Sequence, residues 1–293
     1  MVITVTANPM MEHIFQVPEF EAGGDWRPEH PPLVVPTGKP LNVGRALRDL
    51  GEEVMSVVAV GGATGREIEE GLEAEGLPHR LVTIRQESRR GFTVFNSQGE
   101  TTTVYGPPPK LSDGEVETIC ATVRSLLPAK LIVVGGSTSR DDLYARLCGL
   151  GAQVLLDTRG SSLTNAMNAG KVQMAKPNLR ECRETFGATC VTSAAAELHR
   201  MGANWAVVTD QDREAAFQIG RRLYRVTPPT VDVVHTVGCG DALAAGLVHT
   251  MDRPPRESIA FAMACGAFAA TRPDIARLDL GECERLARRV EVR

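Results

Sequence analysis

Short apolar runs separated by stretches of helical periodicity fill the C-terminal two thirds of the chain, the pattern of a parallel sheet joined by crossover helices. LIVV (Leu131–Val134), QVLL (Gln153–Leu156), KVQMA (Lys171–Ala175) and WAVVT (Trp205–Thr209) are near-continuous in apolar residues. Runs without alternation read as strands buried on both faces. VMSVVAV (Val54–Val60) adds another. Helices fit between them. Ser112 with Glu115 makes a capping box ahead of a helix to about Leu127, and DDLYARLCGLG places acids first and a stop glycine last. Thr64 with Glu67 reads as a second capping box, with helical residues up to Gly76.

Two earlier regions alternate instead. His13–Val17 with Leu33–Val35, and Leu81–Tyr105 around a turn at Ser97–Gly99, look like antiparallel strands. They are discontinuous in sequence, so they predict one small sheet built from excursions out of the α/β body, a lid formed from about 12–18, 32–36 and 81–105. No repeat or long Pro/Gly/Ser linker interrupts the chain, which predicts one domain over 1–293.

Composition narrows the function classes. With 43% hydrophobic and 23% charged residues the chain reads as globular, and 293 residues suffice for a large core. Lys and Arg number 32 against 36 acids, a formal charge of −4 with no long single-sign run, which argues against a dedicated nucleic-acid or membrane-surface binder. The most apolar late stretch, Ile259–Ala270, is 12 residues, short of the roughly 20 that span a bilayer. The N-terminus runs straight into strand-like VITVTA, so a cytoplasmic protein is expected. Seven scattered cysteines without a CxxC pair read mostly as reduced core thiols.

The sharpest local signal is Val231–Met251, VDVVHTVGCGDALAAGLVHTM. A β-branched run ends in Gly238-Cys239-Gly240, and a helix of small residues starts at Asp241. Glycines there allow successive N–H groups to point at one spot, and the helix dipole favours an anion at that spot. A carboxylate beside such a hole is what phosphoryl transfer to a hydroxyl requires. A plain strand-to-helix turn with an N-terminal acid accounts for the same residues. Leu243 stands where the third glycine of a dinucleotide fingerprint belongs, and Gly38-Lys39 is followed by Pro40, which excludes a Walker loop. No HExxH, HRD loop or GxSxG elbow occurs.

Taken in order, four segments resemble the ribokinase/PfkB family of sugar kinases, and in particular its phosphosugar branch that includes 1-phosphofructokinase and tagatose-6-phosphate kinase. VTANPMMEHIFQV resembles that branch's opening TLNPALD strand, PTGKPLNVGRALRDLG its GGKGINVA helix, KPNLRE its KPN with N-x-x-E, and HTVGCGDALAAGL its TxGAGD signature. The resemblance covers nearly the whole chain. It implies a three-layer ribokinase-like α/β sandwich with a mostly parallel central sheet and a small β lid, ATP as donor, Mg²⁺, and in this branch often a homodimer made through lids.

Carried over by position, the resemblance makes Asp241 the general base and the N–H groups of Gly238, Cys239 and Gly240 the cradle of the transferring phosphoryl group. Asn178 and Glu181 would organise Mg²⁺ through water, although Asn as cap and Glu three residues on is also ordinary helix-start chemistry. Lys176, Asn178 and Thr209 fall on the nucleotide side. On the acceptor side, Glu12 takes the place of the acid that holds sugar hydroxyls. Gly38, Lys39 and Asn42 would reach substrate oxygens, and Ser137 would face the acceptor phosphate. Arg89 would bind that phosphate, with the adjacent Arg90 able to exchange roles and a solvated turn the alternative for both.

The chain departs from the pattern at several places. Thr37 and Pro40 replace the first and last glycines of GGKG, Glu12 replaces an Asp, and the GSLPPG segment is reduced to GGSTSR at Gly135–Arg140. TDQDREA (Thr209–Ala215) lacks both glycines of the nucleotide loop, and Asp210 and Asp212 bring negative charge there. The expected activity is ATP-dependent phosphorylation of a hydroxyl on a phosphorylated ketohexose such as fructose 1-phosphate, fructose 6-phosphate or tagatose 6-phosphate. A non-catalytic sugar-phosphate-binding or regulatory homologue, and a kinase for an unphosphorylated sugar or nucleoside, are the alternatives.

Overall fold

The computed structural model describes residues 1–293 apart from Ala22, Glu29, Gly99 and Lys171. The chain opens with β1 (Val2–Thr6), whose side chains are all buried, and leaves the body through β2 (Met10–Gln16) and β3 (Leu33–Thr37). It returns through α1 (Lys39–Asp49), β4 (Val54–Val60), α2 (Gly62–Ala74) and β5 (His79–Thr83), then leaves again as β6 (Arg89–Phe95) and β7 (Thr101–Tyr105). Next come α3 (Asp113–Ser125), β8 (Leu131–Gly135), α4 (Leu143–Cys148), β9 (Val154–Asp157), α5 (Gly160–Ala169) and β10 (Val172–Ala175). The remainder is α6 (Leu179–Phe186), α7 (Val191–Arg200), β11 (Trp205–Val208), β12 (Ala215–Ile219), β13 (Arg222–Val226), α8 (Cys239–His249), α9 (Pro255–Ala270) and α10 (Leu280–Ala287).

Among the described residues nine strands form one sheet in the order β13-β12-β11-β10-β9-β8-β1-β4-β5. It is parallel from β11 to β5, and β12 and β13 extend it antiparallel. Alternate residues of each buried strand face opposite layers, because side chains along a strand have period two. Ile132 and Val134 pack with α3 through α7, whereas Leu131 and Val133 pack with α1, α8, α9 and α10. The product is a helix–sheet–helix sandwich. In the second layer α8 and α9 approach closely: a Cβ on Gly246 would lie 2.8 Å from Ala262 Cα, so the small-residue composition of α8 serves packing. The apolar stretch Ile259–Ala270 is the buried length of α9, and among the described residues no helix is long and apolar enough to cross a membrane.

The four-stranded sheet has the order β3-β2-β6-β7. Two expectations are corrected here. Leu81–Thr83 belongs to β5 at the edge of the large sheet, so that excursion begins only at Arg89. β2 and β6 pair in parallel, because each continues from a strand of the large sheet, β1 and β5, that runs in the same direction. The expected turn at Ser97–Gly99 and the expected strand start at Lys171 include residues outside those described.

Helix starts were partly legible. The capping boxes of α3 (Ser112 and Glu115) and α6 (Asn178 and Glu181) are both present. The proposed box at Thr64 is not: α2 starts at Gly62, and Glu87 from the β5–β6 connection accepts hydrogen bonds from the N–H groups of Ala63 and Thr64 at 3.1 and 2.6 Å. A carboxylate from elsewhere in the chain satisfies the donors that a local side chain was expected to satisfy. Nor does a strand precede α8; residues 227–238 are irregular, anchored by Val234 N–H donating to Ala270 O at 2.8 Å.

Candidate active site

Elements converge where parallel strands end at their carboxyl edge, the usual place for ligands in open α/β sheets. Gly238 is the N-cap of α8 in the left-handed conformation, φ 80°. A Cβ there would lie 2.8 Å from Ile275 Cγ2 and 3.2 Å from Ala276 N, so both backbone and space demand glycine. Gly240 and Asp241 stand in the first turn, whose N–H groups have no acceptor within the helix. Cys239 N–H, one of the expected cradle donors, already reaches Thr236 O at 3.4 Å. Its thiol is pushed up to about 12 by burial, reinforced by Asp241, and stays protonated.

Asp241 is only 7% exposed. Burial raises its pKa to about 7, with Asp157 adding to the rise against the opposing hydrogen bond from Asn42 and the charges of Lys39 and Lys176. Asn42 Nδ2 donates to Asp241 Oδ2 at 2.8 Å. An acid so weakened leaves a carboxylate that accepts a proton readily at neutral pH.

Asp157, at the end of β9, is the hub of the charged groups, and sequence reasoning missed it. Lys39 Nζ lies 2.6 Å from its Oδ1 and Lys176 Nζ 2.9 Å from its Oδ2. Burial opposes its ionisation, yet Lys176 and Lys39 hold its pKa below the usual carboxylate value. Lys39 also reaches Glu181 Oε1 at 2.6 Å. Burial disfavours its ammonium, but the two carboxylates outweigh that and raise its pKa. Expected among substrate oxygens, Lys39 is thus tied to Asp157 and Glu181. Lys176 approaches the α8 terminus, 3.4 Å from where a Gly240 Cβ would stand.

Asn178 and Glu181 cap α6 reciprocally: Glu181 N–H donates to Asn178 Oδ1 at 2.9 Å, and Asn178 N–H to Glu181 Oε2 at 3.0 Å. Helix-start chemistry is therefore present, and Glu181 Oε1 faces Lys39 besides. Among the described residues no three His, Cys, Asp or Glu side chains form a metal cluster. Oxygen donors already engaged in this way fit a magnesium ion held through its own water rather than one ligated directly. Thr209 adjoins Asn178 by a parallel bridge, and its carbonyl accepts from Leu179 N–H at 2.9 Å. In the loop that follows, Gln211 stands where the family's first glycine belongs and still takes the left-handed conformation, φ 57°. The turn survives without its glycine. Glu214, at the second glycine position, pairs with Arg225 at 2.8 Å.

The small sheet supplies the other side. Glu12 is 2% exposed, and its two oxygens accept from Thr37 Oγ1 at 2.8 Å and Thr93 Oγ1 at 2.5 Å. Two departures from the family pattern, Thr37 for glycine and Glu12 for aspartate, are therefore partners. Gly38 (φ 156°) packs against Thr6, whose Cγ2 would be 2.6 Å from a Cβ there. Strand alternation separates the two arginines. Register places Gly91 opposite Glu12, so Arg89 shares Glu12's face and Arg90 takes the other. Arg90 is ion-paired with Glu67 through both oxygens, at 2.7 and 2.6 Å. Arg89 has no carboxylate partner among the described residues: it reaches Asn8 O at 3.4 Å, lies 5.3 Å from the Tyr105 ring centroid, and leaves its buried Nε unpaired. Burial lowers its pKa. Asn8 donates to Ser137 Oγ at 2.9 Å and leaves its own Oδ1 buried and unpaired.

Asn8, Thr93 and Asp157 are thus the residues that the sequence reading passed over. Asp157 did carry a signal, a lone acid closing an apolar strand at the carboxyl edge, and Asn8 lay inside the quoted opening motif.

A weakened buried acid beside first-turn N–H donors suits one chemistry well, transfer of an anionic group to an alcohol whose proton the acid removes, and the class is a phosphotransferase. Residues 7–278 match the family model described as pfkB family carbohydrate kinase; the chain belongs to that family and is a sugar kinase. It is 28% identical over 285 residues to the 1-phosphofructokinase of Bacillus subtilis, covering 92% of each chain. Over 312 residues it is 25% identical to the tagatose-6-phosphate kinase of Staphylococcus epidermidis, covering 100% of this chain and 99% of that one. Its fold matches phosphofructokinase-2 of Escherichia coli with a TM-score of 0.88 at 23% identity over 98% of both chains. The ribokinase-like sandwich expected from the motifs is the fold observed.

Proposed function

We propose that this sugar kinase transfers the terminal phosphoryl group of ATP to a hydroxyl of a phosphorylated ketohexose, with Asp241 as the general base. The observation that carries the acceptor class is Arg89, a guanidinium on the site-facing side of the small sheet with no carboxylate to neutralise it. Arginine's planar fork suits a phosphate already on the sugar, and Asn8 and Ser137 supply polar atoms beside it. The names of the two relatives, 1-phosphofructokinase and tagatose-6-phosphate kinase, agree with that reading.

In the proposed reaction the acceptor hydroxyl attacks the terminal phosphorus of ATP in line, its proton passes to Asp241, the bond to the bridging oxygen breaks, and ADP leaves. Asn42 occupies Oδ2, so the proton is taken at Oδ1. N–H groups of Gly238, Gly240 and Asp241 stabilise the transferring group, and the neighbouring Lys176 ammonium adds positive charge. Asn178 and Glu181 would hold a magnesium ion through its water shell, and bound magnesium neutralises phosphate charge. Lys176, Asn178 and Thr209 border the nucleotide.

Replacing Arg89 by Ala tests the acceptor class. Loss of a charge-assisted contact of roughly 1.5–3 kcal/mol should raise the KM for a phosphorylated acceptor about 10- to 150-fold and leave the KM for ATP unchanged. An unchanged acceptor KM contradicts the proposal.

The outer face of the small sheet supports a homodimer. Val34, His13, Phe92 and Val104 are register partners in one row across all four strands, and Phe92 and Val104 are 46% and 64% exposed. A second copy of this chain would cover that row. Phe92→Asp with Val104→Asp should convert a dimer to monomer in sedimentation analysis; a wild-type protein that is monomeric throughout contradicts it.

A further inference from the structure

Arg45 is 2% exposed and lies on α1, three residues beyond Asn42 and so on the same side of the helix. Its Nε and Nη2 donate to the two carboxylate oxygens of Glu75 at 2.7 and 2.8 Å, and Nη2 also donates to Pro36 O at 2.9 Å. The remaining arm, Nη1, donates to Asn42 Oδ1 at 3.0 Å, while Asn42 Nδ2 donates to Asp241 Oδ2 at 2.8 Å. The oxygen and nitrogen of an asparagine amide are nearly the same size, so rotation about the terminal bond would exchange them. A guanidinium has no acceptor. Only one orientation of Asn42 therefore satisfies both neighbours, the one that turns its N–H towards Asp241.

We infer that Arg45 is a positioning residue for the base: it locks the Asn42 amide so that Asp241 receives a hydrogen bond, which favours the ionised carboxylate and leaves Oδ1 for the acceptor proton. The inference rests on Asp241 acting as the base, as proposed above. Glu75 and the Pro36 carbonyl hold the guanidinium in place, and the latter ties strand β3 of the small sheet to the same network. The other charged groups acting on Asp241 are Asp157 at the end of β9, Lys176 after β10 and Lys39 on α1, with the protonated Cys239 on α8 itself. None of these has a hydrogen bond or ion pair to Arg45 among the described residues. Loss of Arg45 frees Asn42 to present its oxygen to Asp241, and two facing oxygens favour the protonated acid.

The test is the pH dependence of kcat. Arg45→Met combined with Glu75→Gln removes both partners of the ion pair together, and Arg45→Leu combined with Glu75→Gln serves as the second variant should the first not fold. In either, the acid limb of the profile should move to higher pH, by about half a unit or more in the first, with the KM for ATP unchanged. In an Asn42→Ala background the same changes should shift the limb no further, because residues acting through one path are not additive. A wild-type limb in the folded variant, or a shift that persists without Asn42, overturns the inference. Asp241→Asn measured in parallel separates the two claims: full turnover overturns the base and the inference together, whereas lost turnover with a wild-type limb in the Arg45 variants overturns the inference alone.

Discussion

Asp241→Asn is expected to lower kcat by roughly 10²–10⁴-fold, the usual contribution of a positioned general base, with ATP affinity retained. The size follows from the site. An amide cannot take the hydroxyl proton, whereas in the proposed mechanism the α8 N-terminus and Lys176 remain to bind the phosphates. Loss of activity through unfolding is distinguishable by its pH dependence. Burial first, then Asp157, places the folded pKa of Asp241 at about 7, against about 3.9 in an unfolded chain. Between those values the folded state holds the extra proton, so the contribution of this group to stability is fully present below about pH 4 and is lost as the pH rises through about 7. Asparagine removes that titration. The variant should therefore melt no lower than wild type at pH 8, and calorimetry checks this; a large destabilisation at pH 8 would mean that Asp241 holds the fold rather than the chemistry.

The largest stability effect is expected at Asp157→Asn. Lys176 and Asp157 are 4% exposed in their side chains, and Lys176 has no other carboxylate in ion-pair range among the described residues. Removing one partner of a buried pair leaves an uncompensated charge, at a cost of about 3–5 kcal/mol. The sign with pH is opposite to that of Asp241. Lys176 and Lys39 overcome burial and depress the folded pKa of Asp157, so its stabilisation is present above the unfolded value near about 4 and is lost as pH falls through the folded one. Denaturant unfolding at pH 7 should separate variant and wild type by that amount, and the gap should narrow in acid. A difference below about 1 kcal/mol at pH 7, the scale of an exposed pair, would contradict the burial argument.

Local signals were readable where their causes are local. The strands Leu131–Gly135 and Val54–Val60 appear as near-continuous apolar runs because both faces are covered, and the boxes at Ser112 and Asn178 complete themselves within four residues. The Gly238–Asp241 turn was legible for the same reason, since the glycine that the backbone needs lies beside the acid. Partnerships across long sequence distances were not. Glu87 caps α2 from the far side of β5, Lys39 crosses 118 positions to Asp157, and Thr37 finds Glu12 through sheet pairing. Arg90 looked equivalent to Arg89 until register assigned them to opposite faces. Strand β13, at the sheet edge, exposes Arg222, Leu223 and Arg225, and β12 carries Gln218 between Phe217 and Ile219, so neither gave a continuous apolar run to read.

The most direct test of the central claim is product mass and ADP release when the purified protein is given ATP, Mg²⁺ and a panel of free and phosphorylated ketohexoses. Repeated turnover that adds one phosphoryl group to a phosphorylated ketohexose, and that Asp241→Asn abolishes, is the predicted result. Turnover confined to unphosphorylated sugars, or none at all while ATP still raises the melting temperature, would contradict it.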